Sequence, residues 1–237
     1  MNSSSNTTWE RISAEALAGH GITTPYNIDD LTPFIDKIDG PPPRAFHTVL
    51  FRGQLLLDAV KSSSAAVHFP NHPGDELVLI KAGSVTLTTD STGIAQTFHT
   101  GEWAVIPKGW VGWWRASPGE YGEFAIAHGK FFDDSAPKGN KDLAPIAIVP
   151  SKTEGMRTLY SGTLVVEEHN LSKADRSIDQ GADEAIQVLG GVLTLKTSIK
   201  AESFKAGEVV VIPKGFKGQS LVSAGYRALV VRFAPHT

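Results

Sequence analysis

Glu76 and Glu184 are the residues of this chain best placed to do chemistry, because each heads a copy of the same block. The block from Asp75 to Gly83 recurs from Asp183 to Gly191, and the block from Gly101 to Gly109 recurs from Gly207 to Gly215. Successive side chains of a strand point to opposite faces, so each Asp-Glu pair offers one inward carboxylate. In a pocket that excludes water such a carboxylate gives or takes a proton. One per half is too few for a glycosidase dyad. His72 stands just upstream of Glu76. The two offer donors that suit a divalent metal; alternatively His72 lies on a loop rim and Glu76 is hydrogen-bonded near a pocket mouth. Trp110, Trp113 and Trp114 follow the turn at Pro107. They either wall a ligand pocket or pack as core, whereas Trp103, in strand phase, reads as core. In the second half Glu184, Gln187, Gln219 and Arg232 are the polar candidates. Arg232 is either a carboxylate-binding group pointing inward or an outward residue at a strand end, and the outward orientation is preferred.

Other chemistries lack their residues. The chain contains no cysteine, hence no disulfide framework, thiolate nucleophile or cysteine metal site. It has no glycine-rich dinucleotide fingerprint, no phosphate-binding Walker loop and no nucleophile elbow. Lys108 and Lys214 repeat, but a Pro-Lys-Gly segment is a turn whose lysine faces water. The formal net charge of −3 gives no large field of either sign, which argues against nucleic acid and anionic membrane surfaces as partners. No apolar run is long enough to span a bilayer, and the N-terminal residues lack the basic start and apolar core of a secretory signal, so a cytoplasmic protein is expected. Asn2 and Asn6 match the glycosylation pattern and read as part of a polar, frayed terminus.

The elements that position these residues are short strands. The glutamates lie 108 residues apart (184 − 76) and the prolines of the second block 106 apart (213 − 107), so almost the whole intervening unit is duplicated. From Val49 onward, brief apolar runs are punctuated by Gly, Pro and Asp, the pattern of an all-β domain with tight turns. Residues 1–45 read as an N-terminal arm with a short helix near Ser13 to Ala18, stopped by Gly19, and a proline run at 41–43. Residues 46–130 form the first domain, 131–143 a polar linker and 144–237 the second domain. The arm is expected to lie across a barrel.

Both halves carry Glu, six residues, Gly, then Gly, five residues, Pro, one residue, Gly, at 76–83 with 101–109 and at 184–191 with 207–215. This pattern resembles the two cupin motifs. The run Pro107 to Trp114 more narrowly resembles the subfamily of the (S)-ureidoglycine aminohydrolases and ethanolamine-utilisation cupins. The resemblance covers most of the chain and implies two tandem cupin jelly-roll barrels related by a pseudo-twofold axis. It also implies a metal held by a His-x-His pair, a Glu and a second-motif His. Here those positions are Pro70, His72, Glu76 and Gly112 in the first half, with His68 as a substitute if its loop bends. In the second half Gln180 replaces His72 and Gly218 the last histidine.

The expectation is therefore a bicupin that binds a small molecule with no metal cofactor. The alternative is a divalent metal in the first barrel, held by His72 and Glu76. An enzyme of small nitrogenous metabolite catabolism, with Glu76 or Glu184 as acid or base, is the competing function. Trp110, Trp113, Phe131 and Phe132 read as exposed aromatics that favour a homodimer; the other possibility is a monomer whose two barrels mimic the usual dimer.

Overall fold

The computed structural model describes residues 8–25, 34–41, 43–63, 65–129, 139–140 and 142–234. Asn2, Asn6, Phe131, Phe132 and most of the expected linker lie outside them. The chain is all-β, its single described helix being Ala14–Leu17, which ends before Gly19. Among the described residues no helix is long and apolar enough to cross a membrane. Two compact units divide the chain. One takes in the described residues of Glu15–Arg52 and Leu56–Val149; the other takes in those of Met1–Ala14, Gly53–Leu55 and Pro150–Thr237.

In the first-half unit a seven-stranded sheet runs, in spatial order, Ile146–Ile148, Trp103–Ile106, Glu76–Ala82, Tyr121–His128, Leu55–Ser62, Ala45–Arg52 and Thr24–Pro25. Its second sheet is Lys37–Ile38, Ala66–Phe69, Gly112–Ala116, Ser84–Thr89 and Ala95–His99. The second-half unit repeats the plan. One sheet is Glu10–Ile12, Val209–Ile212, Glu184–Gly190, Tyr226–Phe233, Leu164–Leu171 and Gly155–Ser161, and the other is Ala174–Asp179, Lys217–Val222, Val192–Lys196 and Ala201–Lys205. The N-terminal segment enters this unit as a sheet strand, Glu10–Ile12 pairing antiparallel with Val209–Val211. Trp9 is buried beside it, edge-on to Phe216 at 5.6 Å, and its Nε1 donates to Glu202 Oε2 at 2.7 Å.

The repeat is preserved in register. Glu76 sits opposite Ile106 and Glu184 opposite Ile212. Period-two alternation sends Val78 and Ile80, and likewise Ile186 and Val188, into the two cores. Gly83 and Gly191 make the same turn at φ 69° and 66°. A Cβ would stand 2.8 Å from Glu120 O in the first and 2.8 Å from the Tyr226 backbone in the second, so only glycine fits.

The outward acid of each pair also has a fixed task. Asp75 Oδ1 accepts from Lys108 N at 2.7 Å, and Asp183 Oδ1 from Lys214 N at 2.8 Å, tying the Pro-Lys-Gly turn to the strand that bears the glutamate. Both aspartates are buried, at 3% exposure. Asp75→Ala is expected to cost about 1–3 kcal/mol in urea unfolding, because the Lys108 amide loses its partner. A loss below a few tenths would show that water replaces the carboxylate there.

Candidate functional site

The first-half unit holds a half-open cavity of about 140 Å³ between its two sheets. Its walls are mostly apolar, Val67, Phe69 and Trp114 among them, and its polar groups are His72, Glu76, Asp58, Glu123 and Tyr121. Strand alternation puts these acids there. Glu123 and Ala125 alternate inward on Tyr121–His128, and Asp58 and Val60 do so on Leu55–Ser62.

His72 is buried rather than on a rim, at 1% exposure. Its Nδ1 donates to Gly74 O at 2.8 Å, and its Nε2 lies 3.3 Å from Glu76 Oε2. His47 Nδ1 is 3.1 Å from Asp58 Oδ2. Burial pushes the Asp58 carboxyl above its usual range, with the bond to His47 opposing. Glu123 receives a hydrogen bond from the Tyr121 hydroxyl. Burial first, then the charge of Glu76, pushes Glu123 up to about 8. The Tyr121 phenol is driven well above its ordinary range, by burial and by Glu123. The cavity thus places an acid that keeps its proton near neutrality beside the His72-Glu76 pair.

Among the described residues no group of three His, Cys, Asp or Glu side chains is arranged to hold an ion. Neither Gly112 nor Gly218 has room for a side chain. A Cβ on Gly112 would lie 2.2 Å from Thr88 O and 2.5 Å from the Trp110 ring; on Gly218 it would lie 2.4 Å from Lys196 O and 2.6 Å from the Phe216 ring. In both barrels an aromatic ring, Trp110 or Phe216, packs against the glycine. His68 gives no substitute: it points away from the cavity, between Asp36 and Asp90, with Nε2 3.0 Å from Asp90 Oδ2. Val67 and Phe69, one residue to either side, take the inward positions.

Trp114 lines the cavity and Trp103 is core, but Trp110 is corrected: it is fully buried beneath its own turn, and its Nε1 donates to Thr89 Oγ1 at 3.1 Å. It is neither a pocket wall nor an exposed aromatic. Trp113, half-buried on the opposite face, carries the Arg115 guanidinium 4.3 Å above its ring.

In the second-half unit Gln180 does replace His72. Its backbone makes the same pair of bonds, to Phe216 O at 2.9 Å and from Gly215 N at 2.7 Å, that His72 makes with Trp110 and Gly109. Arg232 corrects the preferred outward orientation. Directly opposite Glu184 in register, it forms an ion pair with Glu167 and brings Nε to 3.9 Å from Glu184 Oε2. Burial raises the Glu184 carboxyl, with Arg232 and the Gln180 side chain opposing. Gln187 and Gln219 do not join Glu184. Each lies one residue out of inward phase, Gln187 between the core residues Ile186 and Val188, and Gln219 exposed.

The motif scan missed Asp58, Glu123, Tyr121 and His47. One signal was available: Asp58 and Glu167 are acids at the same place in echoing strands. Glu123, in the run Tyr121–His128, has no echo, since Ala228 stands at its place in Tyr226–Phe233.

No protein-family model matches the sequence, and no curated protein matches it. Solved structures do match in fold. A protein of unknown function from Pseudomonas syringae pv. tomato, of the DUF861 family, is 20% identical, with TM-score 0.63 over 96% of this chain and 100% of its own. Protein YlbA from E. coli, of the same family, is 9% identical, with TM-score 0.59 over 98% and 93%. A Cupin 2 conserved barrel domain protein from Leptotrichia buccalis is 11% identical, with TM-score 0.57 over 92% and 100%. The chain has the cupin fold, built as two tandem barrels.

Proposed function

We propose that this chain is a two-barrel small-molecule-binding protein whose ligand occupies the first-barrel cavity. The supporting observation is the cavity itself: about 140 Å³ with apolar walls and polar groups gathered at Glu76, Asp58 and Glu123. Apolar pockets with a few directed polar groups are how proteins hold small organic ligands. A cavity of this order suits a body about the size of benzene. No metal is assigned to it, since His72 and Glu76 supply only two donors.

A second reading, an acid-base enzyme of small nitrogenous metabolites resembling the ureidoglycine aminohydrolases, draws on one observation. Glu123, held protonated up to about 8, shares the cavity with the His72-Glu76 pair. An acid and a base in one site are what proton transfer requires. Homodimerisation belongs to the same proposal; its support is the exposed Met156 on Gly155–Ser161, the outermost strand of its sheet among the described residues. Light scattering at high micromolar concentration checks it.

The cavity is tested with a ligand-detected NMR screen of small polar organic compounds against wild type and Ala125→Leu. Ala125 lines the cavity and is 5% exposed. Compounds that bind the wild type are expected to be lost in the filled variant. Compounds bound equally by both would place the ligand site elsewhere.

A further inference from the structure

The two barrels carry the same pair of inward acids but treat them differently. In the second, Glu167 and Glu184 are bridged by the guanidinium of Arg232. In the first, Asp58 stands where Glu167 stands in its strand, and Glu76 where Glu184 does. The residue opposite Glu76 in register is Ala127, as Arg232 is opposite Glu184. Ala127 lines the cavity. The space that a guanidinium and its propyl stem fill in one copy is therefore left open in the other, beside the equivalent carboxylates.

The first barrel also gathers more inward acids, of which Glu123 keeps its proton near neutrality. Glu123 adds a third inward acid where the second barrel has Ala228. His47 meets the Oδ2 oxygen of Asp58, the Ala59 amide lies close enough to stabilise the carboxylate, and the buried Oδ1 has no side-chain partner. A buried acceptor without a partner is costly and is normally satisfied by a donor. A guanidinium presents a planar fork of N–H donors and suits two neighbouring carboxylates better than a point-like ammonium does.

We infer that the first-barrel cavity binds a small organic guanidinium, its head between Asp58 and Glu76 and its short apolar stem against Val67, Phe69 and Trp114. The inference rests on the cavity being the ligand site and adds the chemical class. Arg232 acts as the built-in counterpart of that ligand in the second barrel.

The probe is n-propylguanidinium, which reproduces the Arg232 side chain, titrated calorimetrically into the full chain beside N-propylurea, its neutral isostere, and n-butylammonium. Saturable binding of the guanidinium is expected, weakened roughly ten-fold or more by Glu76→Gln and by Asp58→Asn, since each removes a charge-assisted bond. Ala127→Arg, which supplies the missing side chain in cis, is expected to abolish binding while circular dichroism stays that of the wild type. Should Ala127→Arg fail to fold, the two isosteric acid variants carry the test alone. Equal binding of N-propylurea, unaffected by Glu76→Gln, overturns the guanidinium and leaves the cavity as a neutral-ligand site. Tighter binding of n-butylammonium also overturns it. Binding by none of the three overturns the inference; the separate compound screen against Ala125→Leu decides whether the cavity reading falls with it.

Discussion

Gly112→Ala is expected to lower the unfolding free energy by about 3 kcal/mol or more, the upper end of the cost of overpacking a core. The added Cβ would stand 2.2 Å from Thr88 O, a backbone atom in the neighbouring strand, and 2.5 Å from the fully buried Trp110 ring. The carbonyl belongs to the ladder that pairs Gly112 with Thr89 and Trp113 with Thr88, so it cannot step aside without breaking the sheet. Gly181→Ala is the matched control: nothing lies within 4 Å of its Cβ and its φ is not positive, so a change within about 0.5 kcal/mol is expected. Urea unfolding followed by tryptophan fluorescence measures both. Gly112→His, which restores the residue that metal-bearing cupins place there, is expected to do worse than alanine and to gain no metal affinity. A Gly112→His protein of wild-type stability that takes up a stoichiometric divalent ion would show that Trp110 can vacate the site.

The second large effect is a pH dependence centred on Glu123. Its folded value of about 8 stands above the ordinary 4.5, because burial and the charge of Glu76 disfavour the carboxylate. Between those two values the folded chain holds a proton that the unfolded chain has released. Stability tied to Glu123 is therefore fully present below pH 4.5, declines as pH rises, and levels off above about 8. The total is on the order of a few kcal/mol. Glu123→Gln keeps the shape and the acceptor for the Tyr121 hydroxyl without the titration. The variant is expected to be increasingly more stable than wild type from pH 5 to pH 9, the difference reporting Glu123 together with its coupling to Glu76. A stability difference that is flat across that range would mean that Glu123 ionises normally and that the cavity is wetter than its apolar walls imply.

These effects bear on function through one asymmetry. The second barrel pairs its inward acids with Arg232, and the first leaves Asp58, Glu76 and Glu123 facing a cavity. On the reading proposed above, an arginine in cis takes the place that the first barrel keeps for a ligand, and the open barrel bears the stability cost of its buried carboxyls.

The sequence by itself determined the strands, the repeat and the inward glutamates. Period-two alternation and glycine turns are local, and at 76–83 and 184–191 they leave one orientation for each side chain, which the registers bear out. It also located the gaps in the ligand pattern at Gly112, Gly218 and Gln180, because those depend only on position within a motif. What only the tertiary structure decided is which side chains meet across strands. Glu123 and Asp58 reach the cavity from two strands adjacent in space and far apart in sequence, and neither stands in a recognisable motif. Trp110 went from candidate pocket wall to fully buried core for the same reason: its partner Thr89 comes from another strand. Arg232, at a strand end in sequence, turned inward because Glu167 on the adjacent strand draws a guanidinium over. Alternation assigns a side chain to a face, but the charge and space it finds there come from other strands, and those are fixed only when the sheets close.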